Sequence, residues 1–165
     1  MHLLRWSVLS VLLLSVAACG WKLRGMGHTA LLLFKTAQVE DKGADTALAQ
    51  RLVQALASSG VQLDETAAVR IVLGATQWRT SRTGYTLTGD VAAELLSLKQ
   101  PFVVFYRGKK ILQDEAVVYR DHQIDTRALA AAESEKRSLQ AQMRQEAAAQ
   151  IVRQLSYLKL PHDQR

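Results

Sequence analysis

Residues 91–120 read VAAELLSLKQPFVVFYRGKKILQDEAVVYR, and the way this stretch folds decides what the rest of the chain can be. Val91–Arg107 is an extended segment whose centre, PFVVFYR, is crowded with β-branched and aromatic residues. The turn RGKK leads into a second extended segment, Ile111–Arg120, so the two pair as a β-hairpin. Pro101 has no N–H to give to a ladder, which predicts an edge position or a bulge there. Alternation is imperfect, because Phe102, Val103, Val104 and Phe105 are all apolar. Both faces near those residues are therefore expected to be covered.

The flanks complete the pattern. Downstream, Thr126–Leu158 is rich in Ala, Glu, Gln, Arg and Leu, which predicts a long helix. Leu139, Met143, Ala147, Ile151 and Leu155 recur at intervals of four, followed by Leu158, and make one apolar stripe. Pro161 blocks continuation. A heptad seam through Leu129, Ala132, Lys136, Leu139, Met143, Glu146 and Gln150 would bury charge, so the stripe packs on the domain's own sheet rather than in a coiled coil. Upstream, Arg79–Asp90 (RTSRTGYTLTGD) is polar, with two glycines and two arginines, and reads as a long loop or a mobile hairpin tip. Val69–Trp78 is β-branched and reads as a strand. Asp45 can cap a helix running to about Ser58, with Leu48, Leu52, Ala55 and Leu56 on one face and Gly60 just past its end. The apolar run Leu31–Phe34 (LLLF) reads as a buried strand. The order β-α-β-β-β-α predicts an α+β fold, a sandwich with both helices on one face of a four-stranded sheet.

The start of the chain has a different logic. Met1–Arg5 carries a positive charge, and Trp6–Val16 is an apolar run of eleven residues. A bilayer takes ~20 residues to cross, so this run suits the core of a signal peptide, expected to span residues 1–18. The only cysteine, Cys19, follows Val16, Ala17 and Ala18. An exported chain with one thiol cannot form an internal disulfide. The site resembles the lipobox of bacterial lipoproteins, in which the peptidase cuts before the cysteine and the new terminus is acylated. Several acyl chains at ~0.8 kcal/mol per buried methylene hold a protein on a membrane almost permanently. Cys19 is accordingly expected to anchor one domain, residues 19–165.

Little in the chain suggests catalysis. A nucleophile elbow, a phosphate-binding glycine loop and paired cysteines are all missing from the sequence. RDHQID gathers Asp121, His122 and Asp125, but a metal site needs more ligands at helical or hairpin spacing, so a solvated loop is expected there. No enzyme activity, metal or cofactor is expected. The chain carries a net charge of +6, and without Arg5 of the leader a net +5 remains. Such a domain favours anionic partners, and export excludes nucleic acid. Arg79 and Arg82, flanked by Trp78 and Tyr85, are the best candidates for gripping phosphates, because guanidinium groups do so in a bidentate way.

At CGWKLRG, residues 19–25, the chain resembles the mature start of LptE, the lipopolysaccharide-assembly lipoprotein family of Gram-negative bacteria. The order of elements follows that family through a first helix ending near ASSGVQL, an arginine-bearing loop, a long hairpin and a terminal helix ending MRQEAAAQIVRQL. The resemblance implies two helices on a four-stranded sheet and a plug inside the LptD-type outer-membrane β-barrel. It also implies lipopolysaccharide binding, a part in assembling the barrel, and an outer-membrane location facing the periplasm and the barrel lumen. By position it points to Arg82 as a lipopolysaccharide contact, Arg79 is expected beside it from the loop's own residues, and Arg127 and Lys136 are added because they bracket Ala132, where the family has a basic residue. Trp21, Leu23, Arg24, Trp78 and Tyr85 are the expected contacts with the barrel. The competing reading is an outer-membrane lipoprotein scaffold that tethers a periplasmic partner and never touches lipopolysaccharide.

Overall fold

The computed structural model describes residues 32–160. The leader, Cys19, Trp21, Leu23, Arg24, Leu31 and Pro161 lie outside the described residues. Eight elements follow in order: β1 (Thr36–Asp41), α1 (Thr46–Ser58), β2 (Gln62–Leu63), β3 (Val69–Leu73), β4 (Gln77–Tyr85), β5 (Val91–Tyr106), β6 (Lys109–Gln123) and α2 (Leu129–Ser156). The expected four-strand sheet is corrected to six strands, in the order β-α-β-β-β-β-β-α.

The hairpin is β5 and β6. Arg107 and Gly108 both take positive φ, 47° and 81°, as the central pair of a type I′ turn requires. Strand pairing then runs from Tyr106↔Lys109 back to Ala93↔Gln123, with a bulge between Val104 and Phe105. Sixteen residues long, β5 carries two strands in succession on its other edge. There β3 pairs with Phe102–Tyr106 and β4 with the stretch from Val91 to Lys99.

Pro101 therefore sits in a central strand, not at an edge. It is tolerated because it falls in the gap between β3 and β4, where no ladder partner asks for its N–H. Its carbonyl accepts from Gly74 N at 2.9 Å. The fully buried Gln100 fills the same gap. Its Nε2 donates to Gly74 O at 2.8 Å and to Pro101 O at 2.9 Å, while its Oε1 accepts from Thr76 Oγ1.

Beyond β3 the sheet continues through β1 and then β2, both pairings parallel. The strand expected at LLLF is displaced to Thr36–Asp41. Phe34 is buried as an anchor, whereas Leu33 is 67% exposed. So polar a sequence can be a strand because only Ala37 and Val39 face the core, while Glu40 on the other face pairs with Arg70 at 2.8 Å and Lys42 at 3.2 Å. Of the two readings of Arg79–Asp90, the long loop is corrected and the hairpin is the one found. The stretch is most of β4 and a tight turn, so that β4 and β5 form a second hairpin.

Both helices behave as their sequences ask. Asp45 Oδ1 accepts from Ala47 N at 3.0 Å and Leu48 N at 3.1 Å, capping α1. Leu48, Leu52 and Leu56 are wholly buried, and Met143, Ala147, Ile151 and Leu155 of α2 join them in one core. Opposite them stand Ile71, Leu73, Leu96, Leu98, Phe102 and Val104. Each such Leu, Ile or Phe contributes roughly 1.5–3 kcal/mol through burial. On β5 burial alternates strictly from Leu96 to Val104. Phe102 and Val104 lie in the core, whereas Val103 and Phe105 are only half-buried on the far face, where the Arg70 guanidinium stacks 4.6 Å from the Phe105 ring centre. A second covered face is thus not what the apolar run means.

Candidate partner-binding face

The register of β4 on β5 decides which way each side chain points. Trp78, Thr80 and Arg82 lie opposite Leu98, Leu96 and Glu94, on the face that carries the helices. Arg79 and Ser81 lie opposite Ser97 and Leu95, on the far face. Successive residues of a strand alternate sides, so residues three apart cannot share one. The Arg79 and Arg82 side chains therefore leave the sheet on opposite faces.

The near end of β4 is clasped. Asp45 Oδ2 accepts from Arg144 Nε at 2.9 Å and from Trp78 Nε1 at 3.4 Å. The Arg144 guanidinium lies over the Trp78 ring, 5.0 Å from its centre. Burial pushes the Asp45 carboxyl upward. The Arg144 hydrogen bond, the helix N–H of Leu48 and the Arg144 charge outweigh it and hold the group below its ordinary value. In the free chain the half-buried Trp78 ties β4 to both helices.

The far end is open. The Arg82 side chain is exposed and makes no hydrogen bond or ion pair with any described residue. Across from it, Glu94 accepts from Lys136 Nζ of α2 at 2.8 Å, and this bond lowers the Glu94 pKa against the opposing effect of burial. Arg82 thus stands, in register, opposite the residue that holds Lys136, on the helix side of the sheet. Arg127 is exposed just before α2, its backbone N donating to Asp125 Oδ1 at 2.9 Å. Tyr85 is 61% exposed, and Leu87 stands fully exposed at the tip. The turn beneath Leu87 is braced from within: Thr86 N donates to Asp90 O at 2.8 Å and Thr88 Oγ1 to Asp90 Oδ2 at 2.9 Å.

RDHQID is corrected from a solvated loop to the end of β6. His122 is only 2% exposed, and its Nε2 meets Ala132 O at 3.0 Å. A carbonyl only accepts, so Nε2 carries the hydrogen. Nδ1 is left without a hydrogen bond, 3.8 Å from the Glu94 carboxylate. Ala132 is buried beside it, which turns that position away from solvent. Sequence reasoning weighed His122 only with Asp121 and Asp125; it missed the His122–Glu94 proximity that strand pairing creates, and Leu87, whose signal was one apolar side chain among threonines.

On the far face the β3–β4 gap leaves a shallow cavity of about 370 Å³, lined by Lys42, Val72, Gly74, Pro101 and Glu115 among others. It is remote in register from Arg82 and Lys136. Among the described residues no three His, Cys, Asp or Glu side chains gather as a metal site, and no helix is long and apolar enough to cross a membrane.

Two helices on one face of a hairpin-built sheet, with cations and an apolar turn at one end, define a small α+β domain. The sequence matches the LptE, lipopolysaccharide-assembly, family over residues 34–155, and the chain belongs to that family. Solved structures that share the fold include three lipoproteins. Rare lipoprotein B from Shewanella oneidensis is 22% identical, with a TM-score of 0.67 over 73% of this chain and 93% of its own. A minor lipoprotein from Acinetobacter baumannii is 25% identical, with a TM-score of 0.65 over 76% and 92%. Lipoprotein B from Nitrosomonas europaea is 20% identical, with a TM-score of 0.68 over 83% and 90%. Comparison with curated protein sequences finds no match.

Proposed function

We propose that this lipopolysaccharide-assembly lipoprotein is cleaved before Cys19, acylated there and held at the outer membrane. In this reading it plugs an LptD-type β-barrel, assists that barrel's assembly and binds lipopolysaccharide. Family membership over residues 34–155 is the observation that carries this reading. The helix-side cations add the chemistry. Lipid A places phosphates beside acyl chains, and Arg82 and Lys136 stand on the face of the hairpin whose tip offers Tyr85 and Leu87.

Separate substitutions test the lipid assignment, since Arg79 points the other way. Hydrogen bonds to charged groups are worth ~1.5–3 kcal/mol, so Arg82→Glu should lower lipopolysaccharide affinity more than tenfold with the fold intact. Arg79→Glu should leave that affinity unchanged. Equal losses from both, or from neither, would remove Arg82 from the lipid site. Co-purification from detergent-solubilised membranes tests the plug: a stable complex with a large β-barrel supports it, and a soluble partner alone favours the scaffold. Intact mass tests the anchor, expected as loss of residues 1–18 and addition of acyl chains at Cys19.

A further inference from the structure

The sheet has three edges, and they are not treated alike. β2 is only two residues long. The outer edge of β6 is overhung by α2, whose Gln150 Oε1 accepts from Val117 N at 3.1 Å. Gln154 of α2 donates to Asp114 at 2.8 Å, and Glu146 pairs with Arg120. β4 has no such guard. It pairs with β5 on one side, and no described backbone group outside β5 bonds to Gln77–Tyr85. Arg79–Thr83 are all exposed.

Natural edge strands are blunted by brevity, proline, lysine, bulges or a cover, because an open edge is a template for another strand. The stretch Gln77–Arg82 (QWRTSR) has no proline, lysine, bulge or cover, and two arginines are the only charges on it. Its register on β5 is unbroken from Gln77↔Lys99 to Arg82↔Glu94, and the irregularity begins only after Arg82. Arg79 and Arg82 are its only charged residues, one on each face. A second copy pairing edge to edge through this stretch would offer the arginines no carboxylate in return.

We propose that Gln77–Arg82 accepts, by strand addition, an extended segment of another polypeptide bearing carboxylates opposite Arg79 and Arg82. Alternate residues along the stretch direct their N–H and C=O groups away from β5, so about three residues supply the main-chain bonds. The arginines select the sign of the incoming side chains on both faces at once. This inference rests on the reading above, in which that polypeptide belongs to the β-barrel.

Hydrogen exchange read residue by residue tests it, comparing the lipidated protein alone with the same protein co-purified in its barrel complex. Strand addition should slow every second amide of Gln77–Arg82 by ~100-fold or more, leaving the amides already bonded to β5 little changed. Arg79→Glu should weaken the complex ~tenfold. Unchanged exchange, or uniform slowing without alternation, within an intact complex overturns the inference and leaves the plug standing. Failure to obtain any barrel complex overturns the plug and this inference with it. Alternating protection in a self-associated free protein would assign the edge to a second copy and overturn the acidic partner.

Discussion

The two ends of β4 have nearly the same composition and opposite fates. At the near end Trp78 is enclosed by Asp45 and Arg144, and the neighbouring gap is filled by Gln100 and Thr76. At the far end Arg82, Tyr85 and Leu87 touch little of their own chain. A polar strand of this kind is held at its root by buried hydrogen bonds and carried outward by β5, so its distal residues are free to serve another molecule. Substitutions at the two ends should therefore separate stability from binding.

The largest losses are expected under the root. Leu52→Ala or Ile151→Ala removes wholly buried methyl groups and should cost ~2–5 kcal/mol in denaturant unfolding of the soluble domain. A loss near zero would mean that the helices do not pack on this face.

Gln100→Leu comes next. It keeps the volume but strips partners from Gly74 O, Pro101 O and Thr76 Oγ1, and should cost ~1–3 kcal/mol. A neutral result would show that water replaces the side chain in the gap.

Asp45→Asn tests the clasp through pH. The folded-state pKa values of Asp45 and Glu94 both lie below their ordinary 3.8 and 4.5. The stability that they contribute is complete above those ordinary values and is lost as pH falls through the depressed ones. Thermal scans from neutral pH down to about 2 should show an acid loss in the parent protein that is shallower in Asp45→Asn. Parallel curves would take Asp45 out of the acid response.

At the tip, Leu87→Ala should move stability by no more than ~0.5 kcal/mol, the usual surface range. If the tip meets a partner, the same change should weaken barrel or lipopolysaccharide binding, measured side by side with Arg82→Glu. Equal binding by Leu87→Ala and the parent would leave the tip a passive turn.

The helices and the β5–β6 hairpin were legible because their signals are local. A cap at Asp45, an apolar stripe every four residues and a glycine turn act within a few positions of one another. β4 and β1 were not legible. Neither has one apolar face: β4 is wet on most of both sides, and β1 needs only Ala37 and Val39 to be apolar. Their strand state comes from neighbours far along the chain. Pro101 misled for a related reason, since proline is excluded from a central strand only where a ladder partner expects its N–H.

By itself, then, the sequence determined which segments are helical, where the long hairpin turns, and that basic residues cluster before and after it. Export and acylation at Cys19 are proposals read from the sequence alone, and they concern peptidases and membranes rather than the fold. Only tertiary structure decided that Arg79 and Arg82 point apart, that Lys136 is shared with Glu94, and that β4 ends the sheet unguarded. Each of these depends on strand register, and register is set by the whole sheet: a slip of one residue would send every side chain of β4 to the opposite face.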